Sequence, residues 1–187
     1  IDMTPVAVMS IFPVGTTGNI DITATGVSTA LATAEAPTLQ VSGIKIAANV
    51  AEATQSAQQD TFIGNVVITS AGNITITSYL NKDKTADNDD CGAAAILGGN
   101  GTAASLVSAE SNTATATVSA VNKARTYNAG FGTEGAPVGT ITLNAQSTSY
   151  AYATVSQGSS LSFIALNLTI IYAYADGTFD ATADNGG

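Results

Sequence analysis

The chain has no histidine and a single cysteine, Cys91, which removes most of the chemistry a folded domain can carry. Ser-His and Cys-His nucleophile pairs and histidine-metal centres all need an imidazole, leaving only Ser-Lys dyads or carboxylate pairs. No GxSxG, P-loop or GxGxxG run stands on a strand-to-helix turn. The expectation is a protein that is not an enzyme and uses no cofactor. Carboxylates gather in two places, Asp83, Asp87, Asp89 and Asp90, and then Asp176, Asp180 and Asp184. Such oxygens suit calcium, but neither group has EF-hand spacing, so solvated loop charge is expected and no metal site is assigned.

Three Asn-x-Thr sequons occur, at Asn73, Asn100 and Asn167. In an exported chain Asn73 and Asn100, which lie beside turns, are the better glycosylation positions, because Asn167 is embedded in an apolar strand. Lys45 between Ile44 and Ile46 reads as an outward lysine; beside a carboxylate and an asparagine in a dry sheet, such a lysine can also form an isopeptide bond. The pairs Tyr150/Tyr152 and Tyr172/Tyr174 read as cross-strand packing rather than a glycan platform. Cys91, alone in a Gly/Ala-rich loop, is expected to be inert.

The elements that would position these residues begin with Ile1 to Phe12, IDMTPVAVMSIF. One face of an extended strand here carries Ile1, Met3, Pro5, Ala7, Met9 and Ile11, and the other is nearly as apolar. Pro5 restricts the segment to an edge or terminal strand. It is too short to span a bilayer and lacks the basic residues of a signal peptide. The expected division is an arm over 1–17 and a domain over 18–187 with an irregular insert at 81–101.

Hydrophobic residues make up 45% of the 187-residue chain and charged residues 10%, a composition that packs rather than stays disordered. The wealth of Ala, Thr, Ser, Gly and Val favours strands. A formal net charge of −9 excludes a nucleic-acid partner and an anionic membrane surface, and no run is long enough for a membrane span. An opening on a non-Met apolar residue fits an exported precursor with its signal peptide removed, hence an extracellular, cell-surface location.

Alternation of apolar and polar residues predicts strands at 19–27, 39–50 with a bulge at Gly43, 61–70, 73–80, 103–109, 113–121, 138–145, 148–156 and 160–175. Residues 61–70 and 73–80 read as a hairpin through Ala71 and Gly72, and 160–175 as a long central strand. Residues 28–36 and 51–59 read as short helices. Many strands with turn signals between them predict an antiparallel sandwich.

The strand Gly18-Asn19-Ile20-Asp21-Ile22-Thr23, the stretch from Thr61 to Ile76 and the closing strand from Ser162 to Tyr174 resemble the TasA/camelysin family of biofilm-matrix fibre proteins, and among their kin archaeal bundling-pilus subunits. The resemblance implies an antiparallel jelly-roll-like β-sandwich with an extended N-terminal donor strand that completes the sheet of a neighbour. Family members described as metalloproteases carry an HExxH helix, which a chain without histidine cannot form. The expected function is a structural subunit of an extracellular filament that polymerises head to tail by donor-strand complementation, with lateral bundling of filaments. Ile1, Met3, Ala7, Met9 and Ile11 would fill the groove, and Ile164, Leu166, Leu168 and Ile170 would line it. The alternative is a monomeric cell-surface module that binds glycans or calcium through the 81–101 loop; a surface-layer or capsid lattice protein is a third reading.

Overall fold

A computed structural model describes residues 14–183 apart from 16–17, 36–38, 88–91, 100–101, 157 and 159. Eleven strands occur among them, and no helix: β1 Val14–Gly15, β2 Ile20–Gly26, β3 Ala30–Glu35, β4 Leu39–Gln55, β5 Gln58–Ser70, β6 Ile74–Leu80, β7 Ala93–Gly98, β8 Thr102–Phe131, β9 Ile141–Ser147, β10 Ala151–Val155 and β11 Ser160–Ala183.

Each pairing between these strands is parallel. One sheet has five strands in the order β1-β5-β8-β11, with β4 also on β8; the two others are β10-β7-β3 and β2-β6-β9. The chain therefore winds as a coil in which each turn supplies a short strand, a second short strand and a long one, and successive turns stack in parallel. Ile20 lies beside Ile74 and Ile74 beside Ile141. Ala30, Ala93 and Ala151 form a second such row, and Ile44, Val107 and Ile164 a third.

This architecture overturns the antiparallel jelly roll. Residues 61–70 and 73–80 are strands, as the alternation predicts, but they do not pair with each other. A two-residue hairpin turn of type I′ needs positive φ at both central residues, and neither Ala71 nor Gly72 has it. The chain instead turns from one sheet into the next, so Ile63 and Ile68 meet Ile74 and Ile76 across the core. Strand alternation reports which face is buried and is silent about whether an edge neighbour runs up or down.

Both expected helices are strands. Ala30, Ala32 and Ala34 of β3, and Ala51 and Ala53 of β4, face a core lined by other alanines, where two layers approach closely and only small side chains fit. Gly43 makes no bulge: Ser42 pairs with Ser105 and Ile44 with Val107, with no residue inserted. The phase change there has another cause, since Val41 and Ile44 are both exposed and neither face is held to apolar residues. The stretch expected as two strands at 103–109 and 113–121 is one, β8, and residues 93–98 of the expected insert form β7.

The core has two apolar parts. The first packs β3, β7 and β10 on the middle of the long sheet around Ala114, Ala116 and Val118. The second packs β2, β6 and β9 on its far part around Ile74, Ile76 and Ala124. Between them runs a buried polar seam contributed by β5, β6 and β8. Ser78 Oγ accepts from Gln59 Nε2 at 2.8 Å and Thr61 Oγ1 at 2.9 Å, and donates to Asn122 Oδ1 at 2.5 Å. Asn122 Nδ2 donates to the carbonyls of Ser78 and Gln146. A network satisfied in this way fixes the register of the turns it joins.

Candidate assembly surface

A coil of parallel strands has two ends, each a row of backbone edges. Among the described residues β2, β3 and β4 pair on one side only, with β6, β7 and β8; at the other end β9, β10 and β11 do the same. β1 covers the outer edge of β5 only where Val14 meets Ile68 and Gly15 meets Ser70.

The last strand is the more unusual. β11 has 24 residues and stands at the edge of its sheet, not at its centre as the sequence suggests; β8 is the central strand. Its apolar run is uncovered on both faces, with Leu166 69% and Phe163 92% exposed and Leu161, Ile164, Leu168, Ile171, Tyr172 and Tyr174 also exposed. The residues expected as groove lining, Ile164, Leu166, Leu168 and Ile170, thus lie together on one open edge strand, with Ile170 half-buried. Long apolar edge strands are unstable against pairing with another chain unless blunted by charge or proline, and from Leu161 to Ala175 this one has neither. The arm residues Ile1, Met3, Ala7, Met9 and Ile11 lie outside the described residues.

The first-turn edge matches. On β4, Val41, Ile44, Ile46 and Val50 are exposed. They occupy the same rows as Leu161, Ile164, Leu166 and Ile170, with Ala104, Val107, Ala109 and Thr113 of β8 between them. The two outer strands carry Val, Ile and Leu in these rows, whereas the middle strand carries alanine in two of them, Val107 in one and Thr113 in one.

Beside these rows lies a polar recess of about 50 Å³ lined in part by Glu35, Asn49, Glu110, Asn112, Ser156 and Asn167. Lys45 Nζ meets Glu110 Oε1 at 2.6 Å, and Asn49 Nδ2 donates to Asn112 Oδ1 at 2.8 Å. The lysine is half-buried in an ion pair rather than simply outward.

On the far part of the long sheet Arg125 forks onto Asp60, Nε to Oδ1 at 3.0 Å and Nη2 to Oδ2 at 2.5 Å. It lies over the rings of Phe62 and Tyr127, and hydrogen bonding to the carboxylate holds its pKa above the usual arginine value.

At the corner before β2, β6 and β9, Asn19 and Asn73 have a role that the sequon and the family resemblance did not suggest. Asn19 Oδ1 accepts the backbone N–H of Asn73 at 2.9 Å, and Asn73 Oδ1 accepts that of Thr140 at 3.0 Å. Asn73 is exposed, but its side-chain oxygen belongs to this ladder. Asn100 lies outside the described residues, and Asn167 is exposed on β11.

Of the acidic groups, Asp89, Asp90, Asp184 and also Cys91 lie outside the described residues. Tyr174 Oη donates to Asp176 at 3.3 Å and the Thr182 hydroxyl donates to Asp180. Among the described residues no three acidic or cysteine side chains gather to hold a metal, and no helix is long and apolar enough to cross a membrane. No protein-family model matches the chain, and neither does any curated protein or solved structure.

Proposed function

We propose that this chain is a structural subunit that polymerises head to tail, building an extracellular filament from stacked coils. The observation that carries this reading is β11: an edge strand whose outer backbone groups have no strand beside them among the described residues and whose apolar side chains face solvent on both sides. The two ends of a parallel coil differ, so a contact between them is heterologous and repeats without closing, which yields fibres rather than rings. The absence of histidine supports a role without imidazole-based catalysis. Low charge and a surface rich in Thr and Ser favour lateral bundling of the fibres.

The likeness to fibre proteins rests on residues 18–23, 61–76 and 162–174 alone, because the jelly roll it implied is not the fold. Size-exclusion chromatography and negative-stain microscopy of the purified chain test the reading. Fibres, or species far above 18.6 kDa, are expected. A clean monomer at that mass across the micromolar range overturns it and favours the monomeric glycan- or calcium-binding module.

A further inference from the structure

We infer that the partner on the β11 edge is the β4 edge of a second copy, paired in parallel and in the register the molecule already uses within itself. This rests on the polymer reading above and specifies its contact. Within one chain β8 mediates between the two outer strands, since Ile46 and Leu166 both pair with Ala109. Moving β11 onto a neighbour's β4 by the same step places Leu161 beside Val41, Ile164 beside Ile44, Leu166 beside Ile46 and Ile170 beside Val50.

Three observations favour a copy of the chain over another partner. Exposed aliphatic side chains on the two ends fall in the same rows, with Ile46 82% and Ile44 70% exposed, so each end supplies the apolar surface the other lacks. The short strands agree: the rows of Ile20 with Ile141 and Ala30 with Ala151 bring like residues to opposite ends. Charge is compatible as well. Lys45 is the only charged residue on 39–50, already paired with Glu110, and it would face Ala165. Burial of these rows supplies the driving force, and the ladder hydrogen bonds supply direction.

Disulfide trapping tests the register. In a Cys91→Ser background of the full chain, Ile46→Cys and Leu166→Cys are separated within one molecule by β8. Two strand spacings of about 4.8 Å put their Cα atoms beyond the reach of a disulfide, which ends near 7 Å. A bridge between them therefore requires a second copy. Under mild oxidation the double variant should give a covalent ladder on non-reducing gels, at least tenfold above an Ile46→Cys, Ile170→Cys control displaced by about 13 Å along the strand. Equal cross-linking of both pairs, or fibres without a ladder, overturns the register while leaving polymerisation intact. Absence of fibres from the unaltered chain overturns both.

A charge-swap series covers the case in which cysteines disturb folding. Leu166→Lys and Ile46→Asp should each abolish fibres while thermal unfolding of the monomer is preserved, since both side chains are exposed, and an equimolar mixture should assemble again, because strict alternation leaves only lysine–aspartate and unaltered contacts. The double variant carrying both charges should recover assembly. Fibres in either single variant at the level of the unaltered chain overturn the inference.

Discussion

Asn128 donates its side-chain amide to the carboxamide oxygen of Asn65 at 2.8 Å, and both residues stand in the left-handed region, at φ 46° and 55°. They occupy one row of the stacked turns: Gly64 pairs with Tyr127 and Val66 with Ala129 on either side. Asparagine is the non-glycine residue that tolerates this conformation best, and here its side chain also joins one turn to the next. Asn128→Ala should cost about 2 kcal/mol, the sum of left-handed strain and one lost hydrogen bond. Asn128→Gly, which keeps the backbone relaxed, should cost only about 1 kcal/mol. Urea unfolding of the two variants checks the order; equal losses would mean that the conformation contributes nothing.

Close approach of the turns makes a second, sharper prediction. A Cβ on Gly139 would stand 2.7 Å from the backbone oxygen of Gly72, whereas one on Gly43 would meet nothing within 4 Å. The Gly139 N–H donates to that same oxygen at 2.8 Å, so the backbone cannot retreat without breaking the ladder. Gly139→Ala should destabilise by about 2 kcal/mol or more through overpacking. Gly43→Ala should be neutral or slightly stabilising, because it restricts the unfolded chain. Thermal melts of both variants decide the matter.

Gln55 is 2% exposed, and neither its amide nitrogen nor its oxygen has a hydrogen-bond partner. Burying an unpartnered amide costs about 1–3 kcal/mol, and the surrounding core is built of Ala51, Ala53 and Val118. Gln55→Met, similar in volume and without hydrogen-bonding demand, should raise stability by about 1 kcal/mol and the melting temperature by a few degrees. A loss on substitution would show that the amide is satisfied by water.

Arg125 gives the pH argument. Its pKa is raised by hydrogen bonding to Asp60, so the stabilisation it contributes is complete below the ordinary arginine range and is lost only at more alkaline pH, as the folded-state value is passed. From the arginine side, stability should be flat from pH 6 to 10. The side chains of Arg125 and Asp60 are 38% and 34% exposed, so solvent screening leaves the pair worth less than about 1 kcal/mol. Arg125→Lys should still be measurable, since lysine loses both the two-pronged contact and the stacking over Phe62 and Tyr127. The loss should be about 0.5–1 kcal/mol and should shrink in 1 M salt, by denaturant titration.

How much of this was legible follows from particular residues. The alternation at Ile20, Ile22 and Ala24 marks β2 correctly, and the run from Ser160 onwards marks β11, because period two survives whatever the neighbouring strand does. Parallel stacking left a different trace. Gly18-Asn19-Ile20-Asp21-Ile22-Thr23, Gly72-Asn73-Ile74-Thr75-Ile76-Thr77 and Gly139-Thr140-Ile141-Thr142-Leu143 are three versions of one corner-and-strand unit, and a search for internal repeats finds them. Ala30-Leu31-Ala32-Thr33 and Ala151-Tyr152-Ala153-Thr154 repeat likewise. The polar seam of Ser78 and Asn122 was not legible, because each member lies far from its partners in sequence and none stands in a motif. The open edge at β11 was hidden for a related reason: an apolar run reads as central whether or not a second strand covers it.

The relation between the arm and the edge supplies the last prediction. Val14 pairs with Ile68 on the outer side of β5, which is the first-turn end of the coil, the end that also carries β4. If β11 joins the β4 edge of the next copy, the apolar side chains needed for assembly all lie within 39–50 and 160–175. A chain lacking residues 1–12 should then still form fibres, with no more than a severalfold change in the critical concentration, read by light scattering and microscopy. If assembly instead depends on Met3 and Met9 reaching a neighbour, the shortened chain stays monomeric while Ile46→Asp in the full chain, which touches only the edge contact, still polymerises. The two truncation and edge outcomes are opposite, so one pair of proteins separates pairing of edges from donation of a strand.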